Sequence, residues 1–245
     1  MPRRTGYRPG SPCWVDCITP DLTGTGRFYT ELFGWEYTTE GPGFQLARLG
    51  GEIIAGLGAT PPGLPPVARW TVYLAAKDID ATSARIRELG GRIVMGPVPA
   101  GADGRLCLAV DPDGAPVGIW EGHHDEGVVL GDEEGAVCDF ELRTPWPERA
   151  ERFYGELFGC SVSGEGSRLS LDLDGTRLAW LTRAGSGEQP YWLPHFGAGT
   201  DALARSRALG ATAPATPGDP GSGPGAVLLR DPWGAEFALT AVATP

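Results

Sequence analysis

Apolar and polar residues alternate over short stretches along most of the chain, and Gly, Pro or Asp interrupts each stretch. This period-two pattern predicts strands. In the first half it marks Cys13 to Ile18, Phe44 to Leu49, Glu52 to Leu57, Trp70 to Ala75, Ile93 to Met95, Leu106 to Val110 and Val117 to Trp120. Two stretches switch to a helical period. Phe28, Leu32 and Phe33 fall on one face of Thr19 to Gly34, and Ile79, Ile86 and Leu89 on one face of Asp78 to Gly91. Pro20 suits a helix start, Gly34 and Gly90 suit helix ends, and Asp111-Pro-Asp-Gly114 is a turn.

The pattern then repeats. TPDLTGTGRFYTELFG at 19 to 34 returns as TPWPERAERFYGELFG at 144 to 159. Val137 to Leu142 precedes the second copy, with Pro145, Phe153, Leu157, Phe158 and Gly159 in register. Strands follow at Leu169 to Leu173, Arg177 to Leu181, Trp192 to Phe196, Val227 to Leu229 and Phe237 to Leu239, with a helix over Asp201 to Gly210. Asp231-Pro-Trp-Gly234 matches the earlier turn. A self-match of this kind indicates a duplicated structural unit. We expect four βαβββ-like units, A, B, A′ and B′, in two tandem domains, 12–121 and 137–242, joined by an acidic, Gly-rich linker over 122–136. Residues 1 to 12 read as a disordered arm. Helices should start near 20, 78, 145 and 200, outside mixed, largely antiparallel sheets. The pattern leaves open whether A pairs with B or with B′.

Composition narrows the function classes. With 245 residues and 41% hydrophobic content, two cores can be built. A net charge of −11 argues against a nucleic-acid partner, which needs clustered Lys and Arg. No run approaches membrane-spanning length, and MPRRTGYRPGSP lacks a signal-peptide core. The 5 Cys are scattered without CxxC, which suits reduced thiols in a cytoplasmic protein.

Thr-Pro-Asp-Leu with Phe-Tyr and Leu-Phe-Gly-Trp, a helix ending Leu-Gly-Gly, and Asp-Pro-Asp-Gly before a last strand together resemble the vicinal oxygen chelate superfamily. That superfamily contains the glyoxalase, bleomycin-resistance and extradiol-dioxygenase proteins. The resemblance covers about residues 12 to 242 and implies an α+β fold in which paired βαβββ modules curve their sheets around a cavity. Metal-using members place His or Glu at positions that fall here on Trp14, Thr71 and Gly118, then on Asp139, Leu193 and Ala238. Asp139 alone could ligate a metal, and zinc or non-heme iron needs three protein ligands. His123 and His124 fall in the linker. We therefore expect no metal and no other cofactor.

Strand parity places Trp14, Asp16 and Ile18, Thr71 and Tyr73, and Gly118 and Trp120 on the cavity face of the first domain. In the second, Asp139, Glu141, Arg143, Leu193, His195, Ala238 and Thr240 share that face. Glu141, Asp16 and His195 are the candidate acid, base or ligand-holding groups. Each could equally be structural, as in a Glu141–Arg143 pair or a His195 bonded to backbone. Trp14, Tyr73, Trp120, Asp139 and Trp180 are candidate substrate contacts, with core packing the alternative for Trp180, whose repeat equivalent is Gly56. That exchange suggests unequal cavities. Two functions fit: a module binding a small aromatic or cationic natural product, or a cofactor-independent isomerase, cyclase or epimerase acting on one. Ketoaldehyde detoxification fits less well without a metal. Four modules in one chain imply a monomer, with a homodimer also compatible.

Overall fold

The computed structural model describes residues 6–123, 127–128, 131, 133–166, 168–185, 187–214 and 225–242. The first sheet comprises β1 (Pro12–Thr19), β2 (Glu36–Gly41), β3 (Phe44–Leu49), β4 (Glu52–Ala59), β5 (Arg69–Ala75), β6 (Arg92–Ala100), β7 (Gly104–Val110) and β8 (Pro116–Gly122). The second comprises β9 (Val137–Thr144), β10 (Ser161–Glu165), β11 (Arg168–Leu173), β12 (Thr176–Arg183), β13 (Tyr191–Ala198), β14 (Ala226–Arg230) and β15 (Glu236–Ala241). Four helices, α1 (Leu22–Phe33), α2 (Ile79–Glu88), α3 (Pro147–Phe158) and α4 (Ala202–Ala208), follow the first strand of each module.

The strand order is β2-β3-β4-β1-β5-β8-β7-β6 in the first sheet and β10-β11-β12-β9-β13-β15-β14 in the second. Module A therefore pairs with B, and A′ with B′, through the antiparallel contacts β1–β5 and β9–β13. Within a module the first and last strands run parallel, β1 beside β4 and β5 beside β8. The edge strands β2 and β10 escape the sequence pattern because EYTTEG and SVSGE carry almost no buried apolar residue.

Helix starts fall within two residues of expectation. Gly34 and Gly159 close α1 and α3 at φ 76° and 81°, a left-handed conformation that glycine adopts without a Cβ penalty. The proline reading shifts, however. Asp21 caps α1 by accepting from Gly24 N, so Pro20 lies outside that helix, and Pro147 rather than Pro145 occupies the first turn of α3. The expected arm is also corrected in part. Residues 1–5 lie outside the described residues, but Gly10 N donates to Ala75 O at 2.8 Å and Ala75 N to Ser11 O at 2.9 Å, so this segment is tied to β5. His124 lies outside the described residues as well.

The helices lie on the face of each sheet away from its concave side, as expected. At the junction α1 meets α4, α2 meets α3 and β5 meets β13 directly, and one apolar core joins the helix-side faces of both domains. Val15, Cys17, Phe140, Leu142, Trp192, Phe196, Phe237 and Leu239 belong to that core, as strand parity requires. The concave faces therefore turn outward, away from one another.

Two buried tyrosines cross the junction by the same rule. Tyr29 Oη in α1 accepts from Trp70 Nε1 at 3.0 Å and donates to Asp231 Oδ2, in the other domain, at 3.2 Å. Tyr154 Oη in α3 accepts from Trp192 Nε1 at 2.9 Å and donates to Asp111 Oδ2 at 3.3 Å. Each aspartate's other oxygen accepts backbone N–H groups of its own turn. Burial pushes the Asp111 carboxyl up to about 6 and raises Asp231 too, so both depend on these donors. Removing one hydroxyl strands an indole N–H and a carboxylate oxygen in the core. Tyr29→Phe and Tyr154→Phe should each cost about 1 to 3 kcal/mol in denaturant unfolding. Because the two sites share no partner, the double variant should cost roughly the sum. A change below about 0.5 kcal/mol would show that these bonds do not hold the domains together.

Candidate functional site

On the concave face of the first sheet, β1 and β5 are in register with Asp16 opposite Thr71 and Trp14 opposite Tyr73. β8 continues the sheet, with Gly118 opposite Tyr73. Tyr73 Oη donates to Asp16 Oδ2 at 2.7 Å. Burial pushes the half-buried Asp16 carboxyl up to about 6, against the bonds from Tyr73 and Thr71, which lower it. Trp14 and Trp120 lie stacked, 6.5 Å between ring centroids and 22° between planes. These four residues border a cavity of about 330 Å³ whose apolar wall continues through Phe44, Leu46, Ile53 and Leu106. Glu40, Asp103 and the β6–β7 turn form its rim.

Glycines make this space. A Cβ on Gly56 would stand 2.7 Å from the Phe44 ring and 3.1 Å from Asp16 Cβ. A Cβ on Gly118 would stand 2.1 Å from the Tyr73 ring. The Tyr73 ring thus occupies the room a metal-binding Glu at 118 would need. With Trp14 and Thr71 at the companion positions, the residues present do not fit a metal at this place.

The second sheet carries the equivalent pair in a different setting. Glu141 matches Asp16, and His195 matches Tyr73 by their places in β9 and β13. His195 Nε2 lies 3.2 Å from Glu141 Oε2, and Nδ1 lies 2.9 Å from Thr240 Oγ1. Arg143 Nη1 donates to Glu141 Oε1 at 2.9 Å. The Glu141, Arg143 and His195 side chains are 0%, 2% and 1% exposed, so this network is closed to solvent. Burial acts to raise the Glu141 carboxyl, but His195, Arg143 and Thr182 outweigh it and hold the group low.

Trp180 stands in register beside Glu141 where Gly56 stands beside Asp16. Its Nε1 donates to Asp139 Oδ2 at 3.0 Å, and the Arg177 guanidinium lies 4.2 Å from its ring centroid. Arg177 Nη1 also lies 2.7 Å from both Asp139 oxygens. Asp139, the one metal-competent position, already holds a cation. Among the described residues no three His, Cys, Asp or Glu side chains group as a metal would need.

The structure therefore brings Trp14, Asp16, Tyr73 and Trp120 together, and separates them from Glu141, His195, Asp139 and Trp180 on the other sheet. Glu40, Phe44, Ile53 and Asp103 went unread as site residues. Glu40 ends an edge strand with no apolar pattern, and Asp103 lies in a turn, so only the fold assigns them to the rim.

Two family models match the chain. The model of the Glyoxalase/Bleomycin resistance protein/Dioxygenase superfamily matches residues 14–119, and a glyoxalase-like domain model matches 135–240. The chain belongs to this superfamily. It is 33% identical over 256 residues to "Putative glyoxylase CFP32" of Mycobacterium tuberculosis, covering 98% of this chain and 97% of that protein. It is 30% identical to the anthracycline biosynthesis protein DnrV of Streptomyces peucetius, with 96% and 94% covered. Among solved structures, the Mn(II)-bound glyoxalase from Novosphingobium aromaticivorans aligns with a TM-score of 0.66 at 17% identity, over 96% of this chain and 82% of that one. A variant of homoprotocatechuate 2,3-dioxygenase from B. fuscum aligns with a TM-score of 0.64 at 18% identity, over 98% and 74%. At these identities the structural matches speak to fold alone. No helix among the described residues is long and apolar enough to cross a membrane.

The raised Asp16 carboxyl has a stability consequence. Between the ordinary carboxylate range near about 4 and its folded value of about 6, the folded chain holds a proton that the unfolded chain has released. Ionised Asp16 therefore costs stability, fully above about pH 6 and not at all well below about pH 4. Asp16→Asn should stabilise the fold by about 1 kcal/mol at about pH 8 and leave it unchanged at about pH 3.5. An equal effect at both pH values, in urea titrations, would rule out a charge-dependent cost.

Proposed function

We propose that this protein binds a planar aromatic metabolite, without a metal, in the concave cavity of its first domain. The observation that carries the reading is the pairing of stacked Trp14 and Trp120 with the Asp16–Tyr73 pair in one open, otherwise apolar cavity. Flat rings bury much area at small entropic cost against indole and phenol faces, and the carboxylate fixes one polar group of the ligand. The setting is a natural-product pathway, as pathway component or sequestering protein. Its support is the likeness to DnrV, named for anthracycline biosynthesis. In this reading Glu141 and His195 anchor the second sheet and do not touch ligand.

A second reading has one observation in its favour. A carboxyl near 6, bonded to a phenol and facing an apolar cavity, suits a proton-transfer step in an isomerase, cyclase or epimerase. Asp16→Asn separates the two. A binding site loses affinity about three- to tenfold, whereas a proton-transfer site loses about a hundredfold or more of turnover with affinity little changed.

Calorimetric titration with the neutral tricyclic probe acridone tests the leading reading. After chelator treatment the protein should hold no stoichiometric metal and still bind about one probe per chain. Trp120→Ala should weaken binding about tenfold. Loss of binding on chelation, restored by one metal ion, would overturn metal independence.

A further inference from the structure

The second domain contains, in its own side chains, a picture of what the first domain's cavity leaves out. In β12 and β9, Trp180, Arg177 and Arg143 project onto the concave face beside Asp139 and Glu141. The equivalent positions in β4 and β1 are Gly56, Ile53 and Ile18. The filled repeat thus has a flat ring with a guanidinium 4.2 Å from its centroid, held by acids at the sheet surface. In the open repeat the Phe44 ring lies over Gly56, and the acid, Asp16, has no such cation beside it.

The charges agree. The charged side chains lining the first cavity are Asp16, Glu40 and Asp103, and no Lys, Arg or His lines it among the described residues. None of the three acids has an ion-pair partner among the described residues. This does not simply follow from the chain's acidity. Another cavity, of about 610 Å³, runs from the domain junction onto the second sheet and is lined by Arg69, Arg143 and Arg230 as well as Glu188 and Glu236. On the second sheet, Asp139 pairs with Arg177 and Glu141 with Arg143. Asp16 instead relies on neutral hydroxyl donors, an incomplete solution for a carboxylate facing an apolar wall.

We infer that the ligand of the first cavity is a planar aromatic molecule bearing a protonated amine or amidinium. Its rings lie against Trp14, Trp120 and Phe44, and its cation pairs with Asp16 as the Arg143 guanidinium pairs with Glu141 in the second domain. This inference rests on the aromatic-binding reading above and adds the charge to it. Asp16 receives the cation at the floor, while Glu40 and Asp103 draw it in from the rim. The exposed rim acids contribute less per charge than Asp16, because water screens them.

Three tricyclic probes of similar size separate charge from shape: proflavine, a cation; acridone, neutral; and anthraquinone sulfonate, an anion. Calorimetry on the full chain should show proflavine binding about tenfold or more tightly than acridone, with the anion about tenfold weaker still. Asp16→Asn should remove most of the cation's advantage. Glu40→Gln with Asp103→Asn should reduce it about three- to fivefold. Both rim positions are exposed, so this variant does not threaten the fold. If acridone binds as tightly as proflavine, the charge inference falls and the aromatic reading stands. If proflavine's advantage survives all three substitutions, its attraction is to the acidic surface at large and the inference is overturned. If no probe binds at about 1 mM, the aromatic reading and this inference fall together.

Discussion

The burial of the helix-bearing faces against each other constrains everything else in this molecule. Each sheet has one apolar face, and in a lone domain the helices would cover it only partly. Packing β5 on β13, with α1 against α4 and α2 against α3, joins both faces into a single core around Tyr29, Trp35, Trp70, Phe196 and Phe237. The crossed bonds Tyr29–Asp231 and Tyr154–Asp111 fix the register of that contact, because each buried aspartate needs a hydroxyl from the opposite domain. With the convex faces packed on each other, the concave faces are left out of that core, one per domain.

Duplication then allowed the two concave faces to diverge. Both keep an acid on the opening strand and a partner on the facing strand, Asp16 with Tyr73 and Glu141 with His195. A few positions decide the outcome. Gly56 and Gly118 leave room for the Phe44 and Tyr73 rings to line a cavity. Trp180, Arg177 and Arg143 instead fill the second face and neutralise its acids from within. A carboxylate kept near an apolar wall without a cation is disfavoured by the fold, and such local costs are commonly retained where a ligand is met. The second domain offsets that cost with its own Arg143, whereas no cation lines the first cavity beside Asp16 among the described residues.

Much of this was legible in the chain. The Thr-Pro to Phe-Gly repeat and period-two strands gave the fold class, the element order and the helix starts, because local periodicity and turn chemistry agree with the global fold here. Face parity placed Trp14, Asp16, Tyr73 and Trp120 correctly on one surface, and the Gly56–Trp180 exchange signalled unequal cavities. Other features depend on long-range pairing. The A–B association, the packing of the two helix-bearing faces on each other, and the rim at Glu40 and Asp103 arise from contacts that no local pattern encodes.

The central claim is that ligand binds at Asp16 and Tyr73 on the first sheet and not at the buried Glu141–Arg143–His195 network of the second. Hydrogen exchange on the full chain, with and without saturating proflavine, tests this directly by resolving β1, β4 and β5 from β9, β12 and β13. The account predicts slowed exchange in the first set and in the β6–β7 turn, with the second set unchanged. Protection of the second sheet equal to or greater than that of the first would contradict it.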